Sequence, residues 1–167
     1  MPIAQSLLPE FDHEMGTTRT LLEIVPEAHW SYKPHPKSMS LGQLASHIPV
    51  IVSVWGMRTL RDSGFDVNPA TAAQRPEIHS VADLLAVFDE AVQSMRAALA
   101  ETSDEAMRET WTLSRDGQTI FSLPRVAVLR SFIMNHIIHH RGQLSVYLRL
   151  QDVPLPSIYG PSADTPV

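Results

Sequence analysis

Apolar residues recur every three or four positions in four long stretches of the chain, which is the spacing of an amphipathic α-helix. Polar stretches that contain Pro or Gly separate them, so each apolar run has clear limits. We therefore predict an all-α protein with four helices as its main elements. The predicted helices cover residues 5–25, 40–61, 80–102 and 124–150.

The second predicted helix carries both a start signal and an interruption. Ser40 followed three residues later by Gln43 is a capping-box pattern, which favours a helix start at this point. Pro49 lies inside the helix and has no N–H, so it should remove the hydrogen bond to the carbonyl of Ala45 and bend the helix locally. We favour an ordinary tolerated kink over a device that aims the nearby His47.

The connections between the helices differ in length and composition. Residues 61–79 show no periodicity and are numerous enough to cross the length of a bundle, which allows an up-down-down-up order. Between the third and fourth helices, the short runs 111–113 and 119–121 flank Asp116-Gly117. This dipeptide readily adopts positive φ, so a small β-hairpin is predicted there. The predicted fold is a four-helix bundle with this β-hairpin in its last connection.

Composition narrows the classes of function. The 167 residues suit a single domain, 1–167, and 44% hydrophobic residues suffice for a core. A net charge of −5 disfavours nucleic acid as a partner, because nucleic-acid binders usually have a basic excess. The absence of Cys excludes thiolate catalysis and Cys-ligated zinc. With no apolar leader and no run of about 18 apolar residues, we expect a soluble, cytoplasmic protein without a membrane partner.

Three histidines stand within five residues of the fourth helix. His136 and His140 are four positions apart and therefore lie on one face of the helix, where they could hold one metal ion. His139 lies about 100° round the helix from His140, so we assign it to a supporting or interface position rather than to the ion. A catalytic zinc site usually needs a third protein ligand, and His47 in the second helix is the best candidate.

Other readings of the same residues are less favoured. A lone His is more often a core residue satisfied by hydrogen bonds than a ligand, but the spacing and the partner helix favour metal here. Ile137 occupies the position where an HExxH metalloprotease has its glutamate, which disfavours that chemistry. A di-iron site is also disfavoured, since the fourth helix has no acid. Arg141 could hold an anionic substrate group, or simply pair with acids on the first or third helix.

Several segments of the sequence together are similar to one known family. They are residues 32–34, 38–48, 135–143, 147–149 and 156–162. In these segments the chain resembles the DinB/YfiT-like superfamily. The resemblance implies an up-down-down-up four-helix bundle, often a homodimer, with a divalent metal held by His47, His136 and His140. It also implies that the relatives include thiol-dependent transferases or isomerases that use mycothiol or bacillithiol.

Three functions stay open at the level of sequence. The first is a metalloenzyme, of the thiol-dependent transferase or hydrolase class, in which a divalent ion activates water or a low-molecular-weight thiol. Zn²⁺ is expected, with Ni²⁺, Fe²⁺ and Mn²⁺ as alternatives. The second is a non-catalytic, metal-stabilised module for binding or stress response. The third is a metal-free dimeric bundle, which would require imidazoles more than about 6 Å apart.

Overall fold

Helices make up most of the protein, in a computed structural model that describes residues 1–72 and 75–165. All four predicted helical stretches are present, and α4 and α6 are short helices that the apolar pattern does not predict. Residues 73 and 74 of the predicted long connection, and residues 166 and 167 of the predicted domain, lie outside the described part. The helices are α1 (Ile3–Glu23), α2 (Leu41–Val50), α3 (Met57–Arg61), α4 (Pro69–Ala72), α5 (Val81–Glu101), α6 (Asp104–Arg108), α7 (Arg125–Ala127) and α8 (Asn135–Arg149).

Two of the long helical stretches pass through π-helical segments. Ile51–Gly56 joins α2 to α3, and Val128–Met134 joins α7 to α8. The first segment begins two residues after Pro49, whose missing N–H leaves the regular hydrogen-bond ladder incomplete. The helix therefore continues past the proline with altered pitch. Such π-helical segments often occur at functional sites.

The start of α2 agrees with the capping box predicted from sequence, and α5 begins at a serine cap as well. The hydroxyl of Ser40 accepts a hydrogen bond from the backbone N–H of Gln43 at 3.1 Å, and the side-chain oxygen of Gln43 accepts one from the N–H of Ser40 at 2.8 Å. The hydroxyl of Ser80 accepts from the N–H of Asp83 at 3.0 Å at the start of α5. The capping box thus fixes the first turn of α2 and also the direction of the Gln43 side chain.

A three-stranded sheet accompanies the helices. The predicted hairpin is present as β2 (Thr110–Arg115) and β3 (Gln118–Pro124), with φ of 49° at Asp116 and 79° at Gly117 in its turn. A further strand, β1 (Gly64–Val67), pairs in parallel with β2. At Gly64 an added Cβ would lie 2.5 Å from the carbonyl oxygen of Thr112, so only glycine permits this approach.

The core is shared by the four long helical stretches and the sheet. Helix α1 packs against α5, α2 packs against α5 and α8, and the two π-helical segments contact each other. Trp111 is fully buried and donates its indole N–H to the carbonyl oxygen of Arg58 at 3.1 Å, which ties β2 to α3. None of the described helices combines the length and apolar composition needed to cross a bilayer. The contact between α2 and α8 is the one that forms the candidate site.

Candidate metal centre

His47 of α2 and the pair His136 and His140 of α8 meet between the two helices. One ligand nitrogen from each ring lies within 4.8 Å of the other two. The ring centroids of His47 are 5.3 Å from His136 and 4.7 Å from His140, and the two rings of α8 are 4.7 Å apart. The separation of more than about 6 Å that a metal-free bundle would require is therefore not present.

Buried aliphatic residues on both sides of the histidines hold the two helices together. Leu44 and Ile48 flank His47 on α2, and Ile137 and Leu144 flank the pair on α8; all four are at most 1% exposed. Well-packed residues of this kind keep their rotamers, so the backbone beneath each imidazole is rigid. The histidines themselves lie at the edge of this core, with His140 8% exposed.

Gln143 orients the ring of His140. The Nδ1 of His140 lies 2.8 Å from the side-chain oxygen of Gln143, one turn further along α8. Because an amide oxygen can only accept, Nδ1 carries the proton and Nε2 has its lone pair free. Metal-binding histidines are usually held in this way by a second residue. Gln143 is not among the residues predicted from the sequence, although its i, i+3 spacing from His140 is a signal that could have identified it.

His136 lies in a more apolar setting. The ring of Phe132 packs 5.6 Å from its ring, and Phe132 itself packs against Trp55 and Phe121. The Nδ1 of His136 is buried and has no hydrogen-bond partner in the described part of the chain. A buried nitrogen without a partner costs about 1–3 kcal/mol, which a bound ligand could offset.

The three imidazoles are held in their neutral form. Burial lowers the pKa of His47 to about 4, and the neighbouring rings of His140 and His136 add to the effect. Burial also lowers the pKa of His136 to about 4 and lowers that of His140. Neutral imidazole is the form that binds a metal ion, so near pH 7 the group does not need to lose protons before binding.

These low pKa values predict that acid destabilises the metal-free protein. In the unfolded chain, imidazoles titrate near about 6.5. As the pH falls from there towards 4, the unfolded state gains protons that the folded state does not, so the free energy of unfolding falls; above about 6.5 this contribution is fully present. Urea unfolding at about pH 7.5 and about pH 4.5 measures the loss. The free energy of unfolding of the double variant His47→Gln/His136→Gln should fall less than that of the wild type. An equal fall in the two proteins would contradict the low pKa values of these histidines.

The geometry and the donor set fit a small divalent ion. Nitrogens bound at about 2.0–2.1 Å in a tetrahedron lie about 3.3 Å apart. Ligand nitrogens that are already within 4.8 Å of each other reach this spacing by small rotations of the side chains. A cleft of about 450 Å³ is lined by His47, so one of the three histidines borders a space open to small molecules. Within the described residues, these three are the one group of three or more potential ligands that could hold an ion.

The remaining predicted residues lie outside the ligand group. His139 is exposed, its ring is 4.9 Å from that of His140, and it does not belong to the group of nitrogens that His47, His136 and His140 bring together. Arg141 is 1% exposed and forms an ion pair of 2.7 Å with Glu14 of α1, which is the pairing alternative raised by the sequence. The other histidines predicted to play no part in the site are all exposed: His13, His29, His35 and His79.

Comparison with known proteins agrees with this architecture. The sequence model of the DinB family matches residues 1–166. YjoA of Bacillus subtilis strain 168, an uncharacterised protein, is 25% identical over 147 residues, covering 87% of this chain and 89% of YjoA. The crystal structure of the DinB-like YjoA matches with a TM-score of 0.70 and 24% identity, over 92% of this chain and 96% of that one. A DinB-like protein from Bacillus cereus matches with a TM-score of 0.70 and 20% identity, over 93% and 97%.

Proposed function

We propose that this chain, which belongs to the DinB family, binds one divalent metal ion through His47, His136 and His140 and acts as a metalloenzyme. The observation that carries the proposal is the meeting of three imidazoles from two helices, one of which, His47, also lines an open cleft. Zn²⁺ is the proposed ion, with Ni²⁺, Fe²⁺ and Mn²⁺ as alternatives, because imidazole suits several of these metals.

The proposed chemistry follows from what the chain itself supplies. A divalent ion in a three-histidine site provides Lewis acidity, which lowers the pKa of a water or thiol brought to it. Neutral imidazoles leave the full charge of the ion available, and Gln143 keeps the lone pair of His140 directed at it. The cleft lined by His47 is large enough for a small molecule next to this residue.

The residues of the cleft favour a thiol over water as the attacking group. The described residues that line it include no Asp or Glu, so hydrolysis would lack a nearby general base. A low-molecular-weight thiol needs less help, because its pKa of about 8.5 is already close to neutrality. We therefore place a thiol-dependent transferase ahead of a hydrolase.

The same lack of an acid or base favours one alternative. A metal ion bound only by the folded chain stabilises the folded state. The three histidines could therefore form a structural metal site in a non-catalytic module for binding or stress response. A structural zinc site normally has four protein ligands and no open position, whereas here three histidines meet and one of them lines a cleft, which supports the metalloenzyme.

We also propose the finer arrangement expected from the sequence. The four long helical stretches α1, α2 to α3, α5 and α7 to α8 would form an up-down-down-up bundle, and the bundle would form a homodimer. The exposed face of α8 supports this interface, since Val146 is 57% and Leu150 55% exposed, and an added Cβ at Gly142 would meet nothing within 4 Å. Sedimentation equilibrium of the full chain tests the dimer.

Elemental analysis and a thiol assay test the proposed function. Protein purified without chelators should contain close to one divalent ion per chain, removable by dialysis against a chelator and restored on titration. The loaded protein should then accelerate the reaction of a small thiol with monobromobimane above the rate of the metal-free protein. Metal uptake without any acceleration would support the module, and no uptake at all would overturn both proposals.

A further inference from the structure

The cleft beside His47 has a lining that is unusual in its polar groups. One face of α2, the side chain of Trp30 and residues 75, 76 and 78 line it. Met39, Val50 and Ile78 contribute apolar surface. At about 450 Å³ the cleft falls within the usual size range for small-molecule sites.

Hydrogen-bond donors dominate this lining. The guanidinium of Arg75, the indole N–H of Trp30 and the hydroxyl of Ser46 form no side-chain hydrogen bond or ion pair with any described residue. The side-chain oxygen of Gln43 accepts from the N–H of Ser40, so the capping box leaves its NH₂ group as a donor.

Acidic side chains are absent from the described residues that line the same cleft. The chain carries a net charge of −5, yet no carboxylate is found among the described residues that line the cleft. No acidic side chain shares this described lining with Arg75, although Glu90 lines a second cleft that Arg75 also borders. A surface of donors around a guanidinium that forms no ion pair with any described residue is complementary to a ligand with negatively charged oxygen atoms.

We propose that this cleft binds a small organic carboxylate, with Arg75 as the cation that recognises the carboxylate and Gln43 as a second donor. This deepens the function proposed above and rests on it in one respect: the other end of the ligand carries the thiol or electrophile that reaches the histidine site. The planar guanidinium suits a carboxylate, which it can bind with two parallel hydrogen bonds.

The start of α2 argues against phosphate as the ligand. Phosphate sites commonly use free backbone N–H groups at a helix N-terminus. Here those groups are already occupied: the N–H of Leu41 donates to Tyr32, that of Gly42 donates to Trp30, and that of Gln43 donates to the Ser40 hydroxyl. Arg75 is the only Lys or Arg in the described lining, and a phosphate dianion usually needs more than one cation.

A matched pair of thiols tests the inference on the Zn²⁺-loaded full chain. Titration calorimetry should show 3-mercaptopropionate binding about tenfold to a hundredfold more tightly than 3-mercapto-1-propanol, since hydrogen bonds to charged groups are the stronger ones. Arg75→Gln should abolish this preference and leave the metal content unchanged. Arg75→Lys should restore part of it, and Arg115→Gln, which removes an exposed charge on β2, should retain all of it.

The outcomes separate this inference from the function it deepens. Equal binding of the two thiols by a fully metal-loaded protein, or stronger competition by inorganic phosphate than by propionate, would overturn the carboxylate site and leave the metal site standing. If no variant takes up metal, the proposed function fails, but saturation-transfer NMR on the metal-free chain still tests the cleft. Binding of propionate that disappears in Arg75→Gln supports the site, and binding that survives overturns it.

Discussion

Replacing His140 with Ala is expected to lower the affinity for divalent metal by more than about a hundredfold, because even the loss of a residue that only orients a ligand costs about 10–100-fold. Truncation of His47 or His136 should have an effect of the same order. Each removes one of three nitrogens that lie within 4.8 Å of each other, and two imidazoles on separate helices or on one helix hold an ion weakly.

Two neighbouring residues sharpen this test. His139→Ala removes an exposed imidazole next to His140 and should retain uptake of one ion per chain. Gln143→Leu should retain uptake but weaken it by about 10–100-fold, as expected for a residue that orients a ligand. Competition against a chromophoric chelator measures the metal affinity of all five variants. A loss in His139→Ala as large as that in His140→Ala would show that the ligand set is wrongly assigned.

Metal binding should also be visible as stability. A ligand bound only by the folded state at a free concentration 100 times its Kd stabilises it by about 2.7 kcal/mol. Wild-type protein should gain this amount on addition of Zn²⁺, and the three ligand variants should not. This comparison uses the same protein samples and needs no knowledge of the substrate.

Arg141→Met is expected to lower the free energy of unfolding by about 3–5 kcal/mol, the range for removing one partner of a buried ion pair. Arg141 and Glu14 are 1% and 5% exposed, and their ion pair of 2.7 Å joins α8 to α1. The guanidinium also donates to the backbone oxygen of Glu14 at 3.1 Å, and the hydroxyl of Tyr159, 2.9 and 2.8 Å from the two carboxylate oxygens, donates its one hydrogen to the carboxylate. Without Arg141 the Glu14 charge remains buried and only partly compensated.

An exposed pair between the same regions provides the control. Arg130 forms an ion pair of 3.0 Å with Glu10, but the two side chains are 44% and 35% exposed, so Arg130→Met should cost no more than about 1 kcal/mol. The double variant Glu14→Leu/Arg141→Met should recover much of the loss, because it leaves no charge buried. Urea denaturation measures each protein. If Arg141→Met lowers the free energy of unfolding no more than Arg130→Met does, the interpretation of the Arg141 ion pair as a buried, strongly stabilising contact is wrong.

The ion pair with Glu14 also explains why Arg141 lies outside the group of candidate metal ligands. Arg141 directly follows His140, and a helix advances about 100° per residue, so its side chain leaves the helix towards α1 rather than towards the metal ligands. The contact with Glu14 thereby fixes the rotation of α8 about its axis. This rotation is what presents His136 and His140 to α2.

Local signals account for the parts of the fold that the sequence predicted well. The capping box at Ser40 and Gln43, the cap at Ser80 and the Asp116-Gly117 turn each depend on residues close together in the chain. Helical periodicity likewise placed His136 and His140 on one face. Their physical causes are local hydrogen bonds and backbone preferences, which require no knowledge of distant residues.

Long-range contacts account for what the sequence did not predict. Strand β1 is four residues long and forms only because β2, distant in the chain, supplies hydrogen bonds in parallel. One π-helical segment follows α2 and the other precedes α8. Apart from Pro49 near the first segment, no residue pattern in the sequence predicts them. The ion pair of Arg141 depends equally on a partner 127 residues away.

The sequence by itself determined that this chain has four long helical stretches, a hairpin and a pair of histidines one turn apart, because each follows from short-range periodicity and turn chemistry. Only the tertiary structure decided that His47 meets that pair, that Gln43 and Arg75 line the same cleft, and that Arg141 forms an ion pair with Glu14. The physical reason is that these groups are distant along the chain, and only packing between α1, α2 and α8 sets the distances between them.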